Sequence, residues 1–270
     1  TMRVFVEKFR ASATRSKQAL SREKLIDKIE MPDVKKSSRI APNFNFNQNR
    51  PSGKLAIDVK NISKSFEENQ VLNNVSFTIS RGDKVIIIGP NGVGKSTLLK
   101  ILLGRVEPDN GSYEWGYEAQ RSYFAQDHHE LLNESMTAND WICKQCPTET
   151  TSSLRNYLGQ VLFGQDDAHK NILQISGGEG ARLLLAKIMI ERGNCLVLDE
   201  PTNHLDIEAK DALKDALIEF PGTLLMVTHD RDFASKIATR IIAVTPKKII
   251  DYRGTYDEYL DKYGQDYFKS

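Results

Sequence analysis

Along the chain the spacing of apolar positions changes character at two points. Residues 3–30 hold no Gly or Pro and are rich in Ala, Lys, Arg, Gln, Glu and Leu, which predicts one long helix. On it Phe5, Phe9, Ala13, Ser16 and Leu20 recur every three or four residues, a narrow apolar stripe that needs another helix or a surface to cover it. Pro32 ends that helix. The polar stretch Ala41-Pro42-Asn43-Phe44-Asn45-Phe46-Asn47-Gln48-Asn49-Arg50-Pro51-Ser52-Gly53 has no helical period and reads as an extended connector with two aromatic anchors.

From Leu55 the pattern shortens to strands and turns. Leu55-Ala56-Ile57-Asp58-Val59 alternates, residues 71–79 are strand-like, and Arg81-Gly82-Asp83 is a turn. Val85-Ile86-Ile87-Ile88 is a continuous apolar run, as expected of a strand buried on both faces of a parallel sheet. Helical stretches follow at 97–103, 181–190 and 210–219, with buried strands at 195–198 and 223–228 after the second and third of them. Strands alternating with helices predict an α/β fold with a parallel sheet.

Composition adds limits. Hydrophobic residues are 40% and charged residues 27% of the 270, so neither a disordered nor a collagen-like chain fits. No apolar run approaches the ~20 residues needed to span a bilayer, and the first residues turn charged at once, unlike a signal peptide. The cytoplasm is the expected location. Cys143, Cys146 and Cys195 are too few for a disulfide framework. The net charge of +1 hides an asymmetry: residues 1–54 carry 13 Lys/Arg against 5 Asp/Glu, leaving 24 basic and 31 acidic residues for the rest. A block at +8 fits either contact with a polyanion, most often nucleic acid, or a solvated charged helix.

The candidate chemistry begins with Gly89-Pro90-Asn91-Gly92-Val93-Gly94-Lys95-Ser96-Thr97, a match to the phosphate loop G-x-x-x-x-G-K-[ST] with a buried strand before it and a helical run after it. Such a loop turns backbone N–H groups inward around the β- and γ-phosphates at a helix N-terminus. Lys95 supplies a point charge, and Ser96 a hydroxyl for Mg²⁺. Cys195-Leu196-Val197-Leu198-Asp199-Glu200 is an apolar strand ending in two carboxylates, Asp199 suited to the metal and Glu200 to accept a proton from the attacking water. Ile175-Ser176-Gly177-Gly178-Glu179 offers a second hydroxyl and glycine amides ahead of a helix.

With Tyr123-Phe124-Ala125-Gln126 and Thr228-His229-Asp230, these elements resemble, in order, the nucleotide-binding domain of the ATP-binding cassette (ABC) superfamily, over about residues 55–270. The resemblance implies a P-loop NTPase of ABC type: a mainly parallel sheet core, an antiparallel β subdomain, and a helical subdomain at about 127–190. It implies an ATPase using ATP and Mg²⁺, with Gln126 joining Ser96 and Asp199 at the metal. His229 is then the switch histidine and, with Glu200, catalytic; Ser176, Gly177, Gly178 and Glu179 belong to the signature, and Phe66 stacks on adenine where Tyr is commoner. Ile175 stands where Leu is usual and keeps an apolar contact.

Glu200-Pro201-Thr202-Asn203-His204-Leu205-Asp206 resembles the ABC-F form of the loop after Walker B. Phe5-Val6-Glu7-Lys8-Phe9-Arg10-Ala11 through Lys17-Gln18-Ala19-Leu20-Ser21-Arg22 is similar to the end of the helical linker between the two ABC-F cassettes. Gly254-Thr255-Tyr256-Asp257-Glu258-Tyr259-Leu260 resembles the close of such a cassette. Residues 21–38 and Leu162-Phe163-Gly164-Gln165-Asp166-Asp167 look most like the bacterial YbiT-type branch. The resemblance implies a basic linker helix and connector at 1–54 and a cassette at 55–270. It implies a ribosome-bound translation factor whose linker contacts tRNA and rRNA, through Arg10, Arg15, Lys17, Arg22 and Lys24, without direct membrane contact. Because an ABC site sets Walker A of one cassette against the signature of another, the chain is expected to be a fragment that needs a second cassette, normally in the same full-length chain. The rival readings are the ATPase subunit of a membrane transporter, against which stand the +8 segment and Asn203-His204, and a non-hydrolysing clamp, against which stand Glu200 and His229.

Other residues are expected to be structural. Cys143-Lys144-Gln145-Cys146 beside Trp141 has C-x-x-C spacing but no second Cys/His pair. His128, His129 and His169 are read as surface histidines, and Met136, Trp115 and Tyr113 as packing or surface residues.

Overall fold

The computed structural model describes residues 41–67, 69–245 and 249–264, with the side chain of Gln165 excepted. The chain divides into two compact units, Thr1–Ile40 and Ala41–Ser270. The helix expected over 3–30, its apolar stripe and Arg10, Arg15, Lys17, Arg22 and Lys24 lie outside the described residues.

In the second unit, β1 (Leu55–Phe66) and β2 (Asn69–Ser80) form a long antiparallel hairpin, and β4 (Asn110–Trp115) pairs antiparallel with the other edge of β1. Both hairpin strands run beyond the predicted spans. Alternation fails as a guide past Val59 because register shifts between Val59 and Ile62 and between Ile62 and Lys64 break the period of two.

The second sheet has the order β5-β6-β7-β3-β8-β9, built from β3 (Lys84–Ile88), β5 (Arg121–Phe124), β6 (Cys195–Asp199), β7 (Thr223–Val227), β8 (Arg240–Val244) and β9 (Ile249–Arg253). The first five strands in that order are parallel, and β9 returns antiparallel to β8. Every residue of β3, β6, β7 and β8 is buried, which is why these strands read as continuous apolar runs. Alternate residues serve opposite faces: Ile86 and Ile88 join one core cluster, Val85 and Ile87 the other.

Helix α1 (Lys95–Leu102) follows β3. The helices α2 (Ala138–Gln145), α3 (Thr151–Gln160) and α4 (Gln165–Ala168) lie between β5 and α5 (Gly177–Glu191), which leads into β6. Helices α6 (Ile207–Glu219) and α7 (Arg231–Ile237) connect β6 to β7 and β7 to β8, and α8 (Tyr256–Tyr263) follows β9. Helix α5 begins at Gly177 instead of the expected residue 181. Ser176 Oγ accepts from the Glu179 N–H at 3.3 Å while Glu179 Oε2 accepts from the Ser176 N–H at 2.7 Å, a reciprocal cap that carries two glycines into the first turn against their propensity. The Asp206 cap likewise starts α6 at Ile207, ahead of the expected residue 210.

The connector is packed against this unit along its length. Phe44 and Phe46 are buried in the larger core, their rings stacked at 6.4 Å. The Asn43 N–H donates to Gln160 O at 2.8 Å, that of Asn49 to Arg192 O at 3.0 Å, and that of Gly53 to Tyr117 O at 2.8 Å. Buried Asn194 fixes the middle: its Nδ2 donates to the carbonyls of Arg50 and Glu118, and its Oδ1 accepts from the Gln120 N–H. All four amide hydrogen-bonding directions need not be filled for this to hold three backbone segments together.

Candidate functional site

The C-terminal ends of parallel strands gather the candidate residues, as expected for an open α/β sheet. After β3 the chain turns through the phosphate loop into α1, whose N-cap is Gly94 in the left-handed region at φ 93°. A Cβ there would stand 2.9 Å from Val71 O, so both conformation and space demand glycine. No side chain caps α1 and no acid sits in its first turn, whereas α2, α3, α5, α6, α7 and α8 are each capped by a Thr, Ser or Asp side chain. The first amides of α1 are thus left for an anion. Lys95 Nζ donates to Gly89 O at 2.9 Å and Pro90 O at 2.8 Å, which holds the ammonium inside the loop. Burial lowers its pKa, against the pull of Glu200 and Asp199.

The end of β6 brings the two carboxylates in. Asp199 is fully buried, and neither of its oxygens has a hydrogen-bond partner. Burial pushes its pKa up to about 6; the Ser96 hydroxyl, close by but short of a full hydrogen bond, works the other way. A desolvated carboxylate with two orphaned oxygens beside a hydroxyl is a donor set suited to a hard divalent cation, and Mg²⁺ fits it. Glu200 stands at φ 50°, a left-handed position for a non-glycine residue at the strand's end. Its Oε2 accepts from the His229 N–H at 3.1 Å, and its Oε1 lies 3.3 Å from His229 Nε2, out of line for a hydrogen bond. Burial raises the Glu200 pKa. Burial, with help from Lys95, lowers that of His229.

A cleft of about 530 Å³ joins these groups: Phe66, Lys95, Ser96, Gln126, Glu200 and His229 all line it. Phe66 is 48% exposed at its rim, an apolar ring open to a planar partner. Val71 and Asn203 also line it; Val71 carries no sequence signal of its own, and Asn203, in the sequence only a mark of the ABC-F-like loop, joins the cleft when the loop after β6 folds beside the phosphate loop.

Ser176, Gly177, Gly178 and Glu179 are not brought to this cleft. Ser176 and Gly177 line a second cavity of about 140 Å³ with Gln126, Asp127, His128 and His204. Glu179 is held by Lys170, Nζ to Oε1 at 2.6 Å, and by its cap on Ser176, which keep its pKa near 2. Nothing local in the sequence marks Lys170, nine positions ahead, as this clamp.

His128 corrects a sequence expectation. It is buried, not a surface histidine, and its ring meets Phe124 edge-on at 5.5 Å and His204 at 5.6 Å. Burial lowers its pKa, with His204 adding to the effect. His129 and His169 are exposed. Trp141 and Cys146 are buried packing residues, burial pushes the Cys146 thiol up to about 11, and no group of three His, Cys, Asp or Glu able to hold a metal occurs among the described residues. Among these residues too, no helix is long and apolar enough to cross a membrane.

Two family models described as ABC transporter match the chain, one over residues 72–203 and one over residues 1–46. The chain is 41% identical over 261 residues to the probable ATP-binding protein YbiT of Escherichia coli O157:H7, covering 96% of this chain and 49% of that protein. It is 42% identical over 259 residues to the uncharacterized ABC transporter ATP-binding protein YkpA of Bacillus subtilis, covering 95% and 48%. It is 36% identical over 250 residues to ABC transporter F family member 5 of Arabidopsis thaliana, covering 92% and 36%. The chain thus spans about half the length of these bacterial relatives. A solved ATP-binding subunit of an ABC transporter shares the fold, with a TM-score of 0.65 at 22% identity over 77% of this chain and 93% of that one.

Proposed function

The chain belongs to the ABC family, in its F group, and from that premise we propose that its cassette binds and hydrolyses ATP as one half of a composite site in a factor acting on the ribosome. The observation that carries the hydrolytic reading is Glu200, a buried carboxylate within 3.3 Å of the His229 ring and lining the same cleft as Lys95 and Ser96.

In this reading the uncapped amides of α1 and the Lys95 ammonium bind the β- and γ-phosphates, and Phe66 stacks on the adenine. Asp199 and Ser96, with Gln126, would hold Mg²⁺, which would supply positive charge to offset that of the phosphates. Glu200 accepts the proton of the attacking water, and burial, which raises its pKa, makes it a stronger base than a solvated carboxylate. The His229 N–H aims one Glu200 oxygen and leaves the other for the water. Because the Ser176 turn does not line this cleft, the γ-phosphate draws its remaining donors from the signature of a second cassette, and the turn here serves that cassette in return.

The ribosomal role, contact with tRNA and rRNA, a cytoplasmic location and independence of direct membrane contact rest on the basic segment at 1–54 and on the F-group resemblance. The test is sedimentation of the full-length protein with ribosomes and, separately, with membrane vesicles, with ATP present and Glu200→Gln used to hold the bound state. Ribosome association that depends on ATP supports the reading. Partition to membranes alone favours a transporter ATPase instead.

A further inference from the structure

The small cavity beside the signature turn holds two histidines that the hydrolytic reading does not use. His204 lies four residues after Glu200, in the left-handed region at φ 65°. Its ring covers Gly177 so closely that a Cβ on that glycine would stand 3.1 Å from both Cγ and Nδ1, and a Cβ on Gly178 would stand 3.0 Å from His204 O. The ring meets His128 edge-on, centroids 5.6 Å apart at 76°. His128 in turn lies under Gly180, where a Cβ would come within 3.0 Å of its Cδ2, and meets Phe124 at 5.5 Å. Two glycines of one turn, Gly177 and Gly180, are therefore seated on imidazoles from two other segments, and Gly178 meets the main chain of one of them. A Cβ at any of the three would press its neighbour by a few tenths of an ångström, so the turn and the two histidine segments are in close contact. Gln126 lines both this cavity and the nucleotide cleft.

We propose that His204 and His128 are positioning residues that make the signature turn, the segment after Gln126 and the loop after Glu200 move as one body. This rests on the ATP-hydrolysing reading. A shift of the Ser176 turn, as on meeting the other cassette's phosphate, reaches Glu200 through His204 and Gln126 through His128. The two composite sites that one cassette helps to form are joined within that cassette. His128 and Gly180 are buried, a packed contact of the kind that transmits such shifts, while His204 lies at the exposed edge and joins the set through Gly177 and the His128 ring. Holding a non-glycine residue at a left-handed position, with its ring on a glycine, is the sort of strain that surrounding structure must maintain.

The test uses the full-length protein with His204→Ala and His204→Phe, the latter keeping a planar ring over Gly177. Backbone hydrogen exchange at 125–129 and 176–180, read without nucleotide, is expected to quicken in the Ala variant and to return toward wild type in the Phe variant. In steady-state kinetics the Ala variant is expected to lose about 5- to 20-fold in kcat, in the lower part of the range spanned by coupling between sites. Its KM for ATP stays within about twofold, since the phosphate loop and Phe66 are untouched, and Phe restores most of kcat. Exchange that is the same in wild type and Ala overturns the proposal, as does a kcat loss that Phe fails to rescue or that tracks a fall in melting temperature. A wild-type protein without ATP turnover sinks the hydrolytic reading instead, and the exchange experiment still decides whether the two rings bind the segments together.

Discussion

The His229 main chain donates to one oxygen of Glu200 at 3.1 Å while its ring stands 3.3 Å from the other. The pairing follows from the sheet: β6 and β7 are parallel neighbours, and the Glu200 N–H still donates to Val227 O at 2.9 Å, so the two loops leave the sheet side by side. Glu200→Gln keeps the size and the acceptor for the His229 N–H but cannot take a proton from water. In the full-length protein turnover is expected to fall about 10²- to 10⁴-fold, with ATP binding retained. Wild-type turnover in the variant would show that Glu200 is not the base.

Asp199 links catalysis to stability. Its folded pKa of about 6 lies above the ordinary 3.8, burial being the first cause, so the folded state holds this proton more tightly than the unfolded chain does. The stability that the group contributes is full below pH 3.8 and is lost as pH rises through about 6, leaving a desolvated charge at neutrality. Asp199→Asn is therefore expected to stabilise the nucleotide-free protein at pH 7 by about 1–3 kcal/mol, the value of a shift of this size, with the gain fading in acid. Metal-dependent nucleotide binding weakens in the same variant. Thermal melting at pH 7 and pH 4 checks the sign, and a lower melting temperature at pH 7 refutes it.

How much of this was readable in the chain depends on how local each cause is. The phosphate loop, the apolar runs of β3 and β6 and the carboxylates at the end of β6 are contiguous signals whose burial on two faces or whose loop geometry is written in neighbouring residues. The apolar period of α5 begins at residue 181, whereas the helix begins at Gly177, because the reciprocal Ser176–Glu179 cap extends it through two glycines that the period does not mark. The burial of His128 is hidden from the sequence for a different reason. Its burial is supplied by Phe124, Gly180 and His204, and two of these three are distant in sequence, so no window around Asp127-His128-His129 contains the cause. Likewise Asn194 looks like an ordinary loop residue until Arg50 and Glu118 arrive at its amide.

Phe44 tests the connector. It is 6% exposed, stacks on Phe46 and belongs to the main core, so the strap contributes to the fold of the second unit instead of merely leading to it. Phe44→Ala is expected to destabilise that unit by about 3–5 kcal/mol, the usual cost of emptying a buried aromatic site. Denaturant unfolding measures it. A cost below about 1 kcal/mol, the range of exposed substitutions, would mean that the strap lies on the surface without supporting the core.

The basic segment decides whether the ribosomal reading stands. Arg10, Arg15, Lys17, Arg22 and Lys24 are the residues proposed to meet RNA phosphates, in a segment where 13 Lys/Arg face 5 Asp/Glu. Each phosphate neutralised releases counterions, and each contact is expected to steepen the dependence of log affinity on log salt by roughly 0.7–0.9. Replacing all five by Glu should weaken ribosome binding and flatten that slope. ATP binding should not change, because Lys95 and the uncapped end of α1 lie in the other compact unit. Ribosome affinity that survives the replacement with its salt slope intact would make the segment a solvated connecting helix, and the case for a ribosomal partner would then rest on family resemblance alone.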